Sequence, residues 1–163
     1  MGMQLIETIE VGVDEPNSIQ FIGIPQDGID LLCVFSARTT APTSADCYVQ
    51  INSQYSSSHK RLLGDGSSAS TSTASPVFRI PATSYTSNTF GSASIYISNY
   101  TVDAIQKSVS IDAVTENNAA LSEWNTIVAL LSTNTAPVTQ FGLGFSAKMA
   151  QYSTASLYKI TAD

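Results

Sequence analysis

The one histidine of the chain, His59, follows a run of serines in YSSSHKR (55–61). A serine nucleophile, an imidazole base and an orienting aspartate carry out acyl transfer, and geometry rather than chain order defines that set. The sequence supplies no nucleophile elbow and no glycine-rich oxyanion segment to complete it. An ordinary surface histidine is therefore expected at position 59. Metal chemistry has equally little to work with. One histidine with Cys33 and Cys47 does not make a structural zinc site. DEPN (14–17), PQDGID (25–30) and GDG (64–66) offer oxygens, but none has the acidic ladder of a calcium loop. Asp and Gly in such places serve turn geometry first. Asp112, Glu116 and Glu123 lie close together. A facing pair of carboxylates would suit glycoside hydrolysis, whereas most acids on a β-protein surface are simply solvated. No catalytic, cofactor-binding or metal residue is assigned, and no cofactor is expected.

Aromatic residues are the remaining chemical signal. Tyr48, Tyr55, Tyr85, Phe90, Tyr96, Tyr100, Trp124, Tyr152 and Tyr158 outnumber what strand cores need, and several fall in loops. Tyrosine and tryptophan in loops favour protein contacts or sugar stacking. Tyr55, Tyr85, Phe90, Tyr100 and Trp124 are the partner-contact candidates, against the plainer reading that they pack loops down.

The elements that must position these residues are strands. QLIETIEV (4–11), SIQFIGIP (18–25), CYVQINS (47–53), SASIYISNY (92–100), KSVSIDAV (107–114), VTQFGLGFSA (138–147) and STASLYKIT (153–161) alternate apolar and polar residues, as half-buried strands do. IDLLCVFSART (29–39) has the continuous apolar run of a central strand, HKRLLGD (59–65) and PVFRIP (76–81) are short strands, and another begins near Trp124. Turn residues separate them at the spacing of a sandwich or small barrel. The expected fold is all-β: an antiparallel, jelly-roll-like β-sandwich of about eight to ten short strands.

GDGSSASTSTASP (64–76) contains no large apolar side chain until its flanks. The strand pattern continues on both sides, and the first half alone is too small for a comfortable core. It is expected to be a long surface loop on a single domain spanning 1–163, not a linker.

Composition narrows the function. Of 163 residues, 43% are hydrophobic and 12% charged, with a net charge of −6; an average protein has about 25% charged. Serine and threonine, about a quarter of the chain, take the place of charges. The acidic balance and scattered basic residues argue against nucleic-acid binding. No apolar run has the length of a membrane span, and MGMQLIETIEVGVDE has neither the basic flank nor the apolar core of a signal peptide. Cys33 and Cys47 sit in apolar strand stretches and are expected to be buried thiols.

IYISNYTVDAIQKSVSIDAVTENNAA (95–120) and QYSTASLYKI (151–160), with SIQF, IPQDGIDLLCVFSART (24–39) and the GDGSSAS loop, carry a resemblance over nearly the whole chain. The sequence resembles small all-β structural proteins of tailed bacteriophages. The resemblance implies a jelly-roll or related sandwich, turn-forming roles for Asn117, Asn118 and Ala119, a closing strand from Tyr152 to Ile160, and no active site. It implies a virion protein, assembled in the host cytoplasm. The first reading is a capsid decoration, or cement, protein that binds the major capsid lattice as a homo-oligomer, with a trimer favoured. The alternative is a receptor- or carbohydrate-binding module of a head or tail fibre, whose partner is a host surface glycan or receptor.

Overall fold

A computed structural model describes residues 2–55, 58–65, 67–74, 76–115 and 125–162. Thirteen strands form among them: β1 (Gly2–Glu10), β2 (Ser18–Ile22), β3 (Asp30–Ala37), β4 (Ala45–Ile51), β5 (Gln54–Tyr55), β6 (Ser58–Gly64), β7 (Ala69–Ser72), β8 (Phe78–Ile80), β9 (Gly91–Ile97), β10 (Lys107–Val114), β11 (Asn125–Ser132), β12 (Gln140–Phe145) and β13 (Thr154–Thr161). No helix occurs among the described residues. The count exceeds the expected eight to ten in part because β5 and β7, two and four residues long, were not read as strands, whereas PVFRIP supplies β8 as expected. β5 and β7 hold too few alternating residues to register as strands in the sequence.

All pairings between the strands are antiparallel. One sheet has eight strands in the order β1-β13-β3-β9-β10-β11-β6-β7; the other has β2-β12-β4-β5, with β8 also on β4. They form an antiparallel sandwich. Side-chain alternation places the core between the sheets. β4 buries Ala45, Cys47, Val49 and Ile51; β9 buries Ala93, Ile95 and Ile97; β12 buries Phe141, Leu143 and Phe145. The Phe35 ring stacks on Phe145 at 5.5 Å and meets Phe78 edge-on at 6.3 Å. Cys33 and Cys47 are buried in this core as free thiols.

The stretch 64–76 is not a linker. β3 precedes it and β9 follows it, yet the two pair directly in one sheet. Nor is it all loop. Asp65 caps a turn after β6, and Ala69–Ser72 then adds β7 to the sheet edge. A strand of Ala, Ser and Thr shows no apolar alternation, so it was unreadable as a strand. Main-chain hydrogen bonds to β6 hold it, and its exposed edge is polar, which suits an edge strand.

Tyr100 fastens one end of the sandwich. It is fully buried. Its hydroxyl donates to the Pro25 carbonyl and accepts from the Gly28 amide at 3.1 Å. Its backbone bonds Ile29 at 3.1 Å and Val138 at 2.8 Å. A Cβ on Gly28 would come within 2.9 Å of that hydroxyl, so the turn needs glycine for close approach. Tyr100→Phe removes the side-chain partner of the Pro25 carbonyl and the Gly28 amide, and urea denaturation is expected to show a loss of about 0.5–1.5 kcal/mol.

Candidate functional site

The structure separates the residues whose types suggested chemistry. His59 is buried on the inner face of β6, at 7% exposure, and is not the surface residue expected. Its Nε2 donates to the Ala74 carbonyl at 3.1 Å. The period-two pattern of SHKRLLG turns His59, Arg61 and Leu63 inward together, because Lys60 and Leu62 take the outer face. Asp65 Oδ1 accepts from the Ser67 amide (2.9 Å) and the Ser68 amide (2.6 Å), and Oδ2 accepts from the Ser68 hydroxyl (2.9 Å). These donors hold its carboxyl well below the usual range. Asp65 is thus a turn residue. Asp112 is exposed on β10, directly opposite Ser94 on β9 and Ile127 on β11. Glu116 and Glu123 lie outside the described residues, as do Asn117, Asn118 and Ala119, for which a turn was expected. No group of three His, Cys, Asp or Glu residues able to hold a metal occurs among the described residues. Burial pushes the Cys33 thiol up to about 12 and the Cys47 thiol well above its usual value, so neither is a reactive thiolate.

The aromatic candidates divide. Tyr100 is no contact residue, because the turn it fastens encloses it completely. Tyr85 and Phe90 are half-buried in the 82–90 loop. Trp124 lies outside the described residues. Tyr55 is 61% exposed.

The 82–90 loop is organised by a residue that the sequence did not single out. Arg38, 7% exposed, donates to the Thr86 and Thr89 carbonyls at 2.7 Å each and to Thr83 at 3.2 Å. Lys107 does the same at the other end of the sheet. It is fully buried, and its ammonium donates to the carbonyls of Val102 (2.6 Å), Ile105 (2.8 Å) and Thr135 (3.1 Å). Burial lowers its pKa, and the nearby Asp103 opposes that shift. Lys159 pairs with Asp27 at 2.6 Å, Arg79 with Asp46 at 2.9 Å, and Arg61 donates to Ser72 at 3.3 Å. Five of the seven basic residues are therefore engaged in holding the structure together, leaving Lys60 and Lys148 exposed.

Two broad faces result, both poor in cations. On the outer face of the eight-stranded sheet, one cross-strand row reads Thr8, Ser156, Val34, Ser94, Asp112, Ile127, Leu62 and Thr71. Its apolar members are exposed: Val34 by 47%, Leu62 by 46% and Ile127 by 55%. Leu131 and Val114 extend this apolar area along β11 and β10. The outer face of the five-stranded sheet is different in kind, with Gln20, Gln50, Gln140, Tyr48 and Tyr55 around Gly142 and Gly144.

Compared with protein-family models, with curated proteins and with solved structures, the chain matches none.

Asp65 and Asp27 both have folded-state pKa values below the usual 3.8, Asp65 through its turn amides and Asp27 chiefly through its hydrogen bond from Lys159. A carboxylate depressed on folding adds stability above its unfolded pKa and loses it as pH falls through the folded value. Urea midpoints are expected to hold steady above about pH 5 and to fall steadily below about pH 4. Asp65→Ala should lower the neutral-pH midpoint and flatten the acid limb. An unchanged acid limb would show that the Asp65 turn does not contribute to folding stability.

Proposed function

We propose that the chain is a non-enzymatic structural protein of a tailed-phage virion, a decoration protein that seats the outer face of its eight-stranded sheet on the head. The observation that carries this reading is the apolar, hydroxyl-rich character of that face around Ile127, Leu62 and Val34. A contiguous exposed apolar area on a folded protein marks a contact surface. Hydroxyls between the aliphatic groups can bond a partner's backbone without the desolvation cost of burying charges. The resemblance in 95–120 and 151–160 supplies the virion context. The jelly-roll form and a trimer at symmetric lattice positions belong to the same proposal; closed symmetric assembly is the usual arrangement for such parts.

A receptor-binding fibre module is the second reading, favoured by the tyrosine and amide side chains on the opposite sheet. Imaging of phage heads that lack the protein, after incubation with the purified chain, separates the two. Regular occupancy of lattice positions supports decoration; absence from heads together with binding to host cells overturns it. Ile127 and Leu62 face each other across β11 and β6. Replacing both by Lys leaves the core untouched, since both are exposed, and is expected to abolish head occupancy while shifting the urea midpoint little. Retained occupancy would mean that another face makes the contact.

A further inference from the structure

We propose that the outer face of the five-stranded sheet is a binding site for neutral pyranose glycans, centred on Tyr55. This inference deepens the second reading above and does not rest on head docking, because it concerns the opposite side of the sandwich.

The site begins with a hairpin. Asn52 and Ser53 connect β4 to β5 and both have positive φ, 49° and 63°. That is the backbone of a two-residue type I′ turn, whose twist matches the paired strands. The Asn52 side chain locks the turn to the chain entering β12. Its oxygen accepts from the Thr139 amide at 2.9 Å and the Gln140 amide at 3.2 Å, while its nitrogen donates to the Pro137 carbonyl at 2.9 Å. The register that follows sets Tyr55 directly opposite Gln50, on the outer face.

From β5 the Tyr55 side chain reaches across β4. A Cβ added to Gly144 on β12 would lie 3.3 Å from its hydroxyl and 3.6 Å from a ring carbon. The hydroxyl end of the ring therefore sits over a strand that carries no side chain there. Tyr48 meets it edge-on, with centroids 6.2 Å apart and planes at 82°. Tyr55 nevertheless remains 61% exposed. A ring whose hydroxyl end rests over glycine and which packs against a second ring is restrained before a ligand arrives, and the C–H face of a pyranose packs on an exposed aromatic ring.

Beside the ring runs a chain of amides. Ser53 donates to Gln140 at 2.7 Å, Gln140 to Gln20 at 2.9 Å, and Gln20 to Gln50 at 3.4 Å. The chain stops at Gln50. Its side-chain nitrogen, and the hydroxyls of Tyr48 and Tyr55, have no hydrogen-bond partner among the described residues. These donors and acceptors beside an exposed ring suit a ligand with many hydroxyls. Asp46 is the one charged residue in β2, β4, β5 and β12, and Arg79 neutralises it at 2.9 Å. The one cation in the strands of this sheet, Arg79 on β8, is paired to Asp46, and with a net charge of −6 on the chain acidic glycans are repelled. The ligand class is therefore neutral.

The test uses the full chain, with maltohexaose, cellohexaose, laminarihexaose and mannohexaose as probes and oligogalacturonate as the acidic control. Titrations followed by amide chemical shifts are expected to show saturable binding of at least one neutral hexamer, with the shifts confined to β4, β5 and β12. Tyr55→Ala should weaken that binding about tenfold or more, the scale expected of a central aromatic contact. Tyr55→Phe keeps the ring and should stay within about threefold. Gly144→Val should displace the ring and weaken binding without altering either tyrosine. Failure of every neutral hexamer to bind, shifts centred elsewhere, preference for the acidic control or full affinity in Tyr55→Ala would each overturn the assignment. Head occupancy should not respond to Tyr55→Ala, so this site and the docking face fail separately.

Discussion

Arg38 and Lys107 are cations buried against backbone carbonyls, and the loops at the ends of the sandwich depend on them. A loop that packs against a core carries carbonyls away from water, and each needs a donor. Arg38 supplies the 82–90 loop through Thr83, Thr86 and Thr89. Lys107 draws Val102, Ile105 and Thr135 onto a single ammonium. A buried charge of this kind is tolerated only when hydrogen bonds surround it. Removing either side chain would leave several carbonyls unpaired at once. Tyr100 works to the same end with a neutral hydroxyl, joining the Pro25–Gly28 turn to the chain before β12.

This use of the basic residues has a consequence for the surface. With Arg38, Arg61, Arg79, Lys107 and Lys159 engaged in holding elements together, the exposed faces keep acids, hydroxyls and amides but few cations. This also allows the two sheet faces to differ. Serine, threonine and aliphatic residues on the eight-stranded sheet suit a broad protein contact. Tyrosine and glutamine over glycine on the five-stranded sheet suit a small polar ligand. Because the sheets lie back to back, both could be engaged at once.

How much was legible in the chain varied with the length of the element. KSVSIDAV was read at its observed limits, 107–114, because eight alternating residues leave little freedom in where the faces fall. The segments read as 138–147 and 153–161 contracted to Gln140–Phe145 and Thr154–Thr161; alternation does not mark where ladder bonding ends. β5 was missed, although Asn-Ser between CYVQI and QY is a hairpin signal, because two residues have no periodicity. β7 was missed because Ala-Ser-Thr-Ser has no apolar side to show.

Alternation along the chain determined by itself that this is an all-β protein and that Cys33 and Cys47 are buried. Those are local facts, set by residue type and the two-residue period of a strand. Tertiary structure decided the rest. His59 faces inward because β6 pairs with β11 in one register; a shift of one residue would have exposed it. Tyr100 is an internal fastener and Tyr55 an exposed ring, though both are tyrosines near Asn in polar sequence. The difference lies in which strand crosses beside each, Gly28 and Pro25 closing over one and Gly144 lying bare under the other. Sequence carries residue type and period, but exposure depends on contacts between residues distant in the chain.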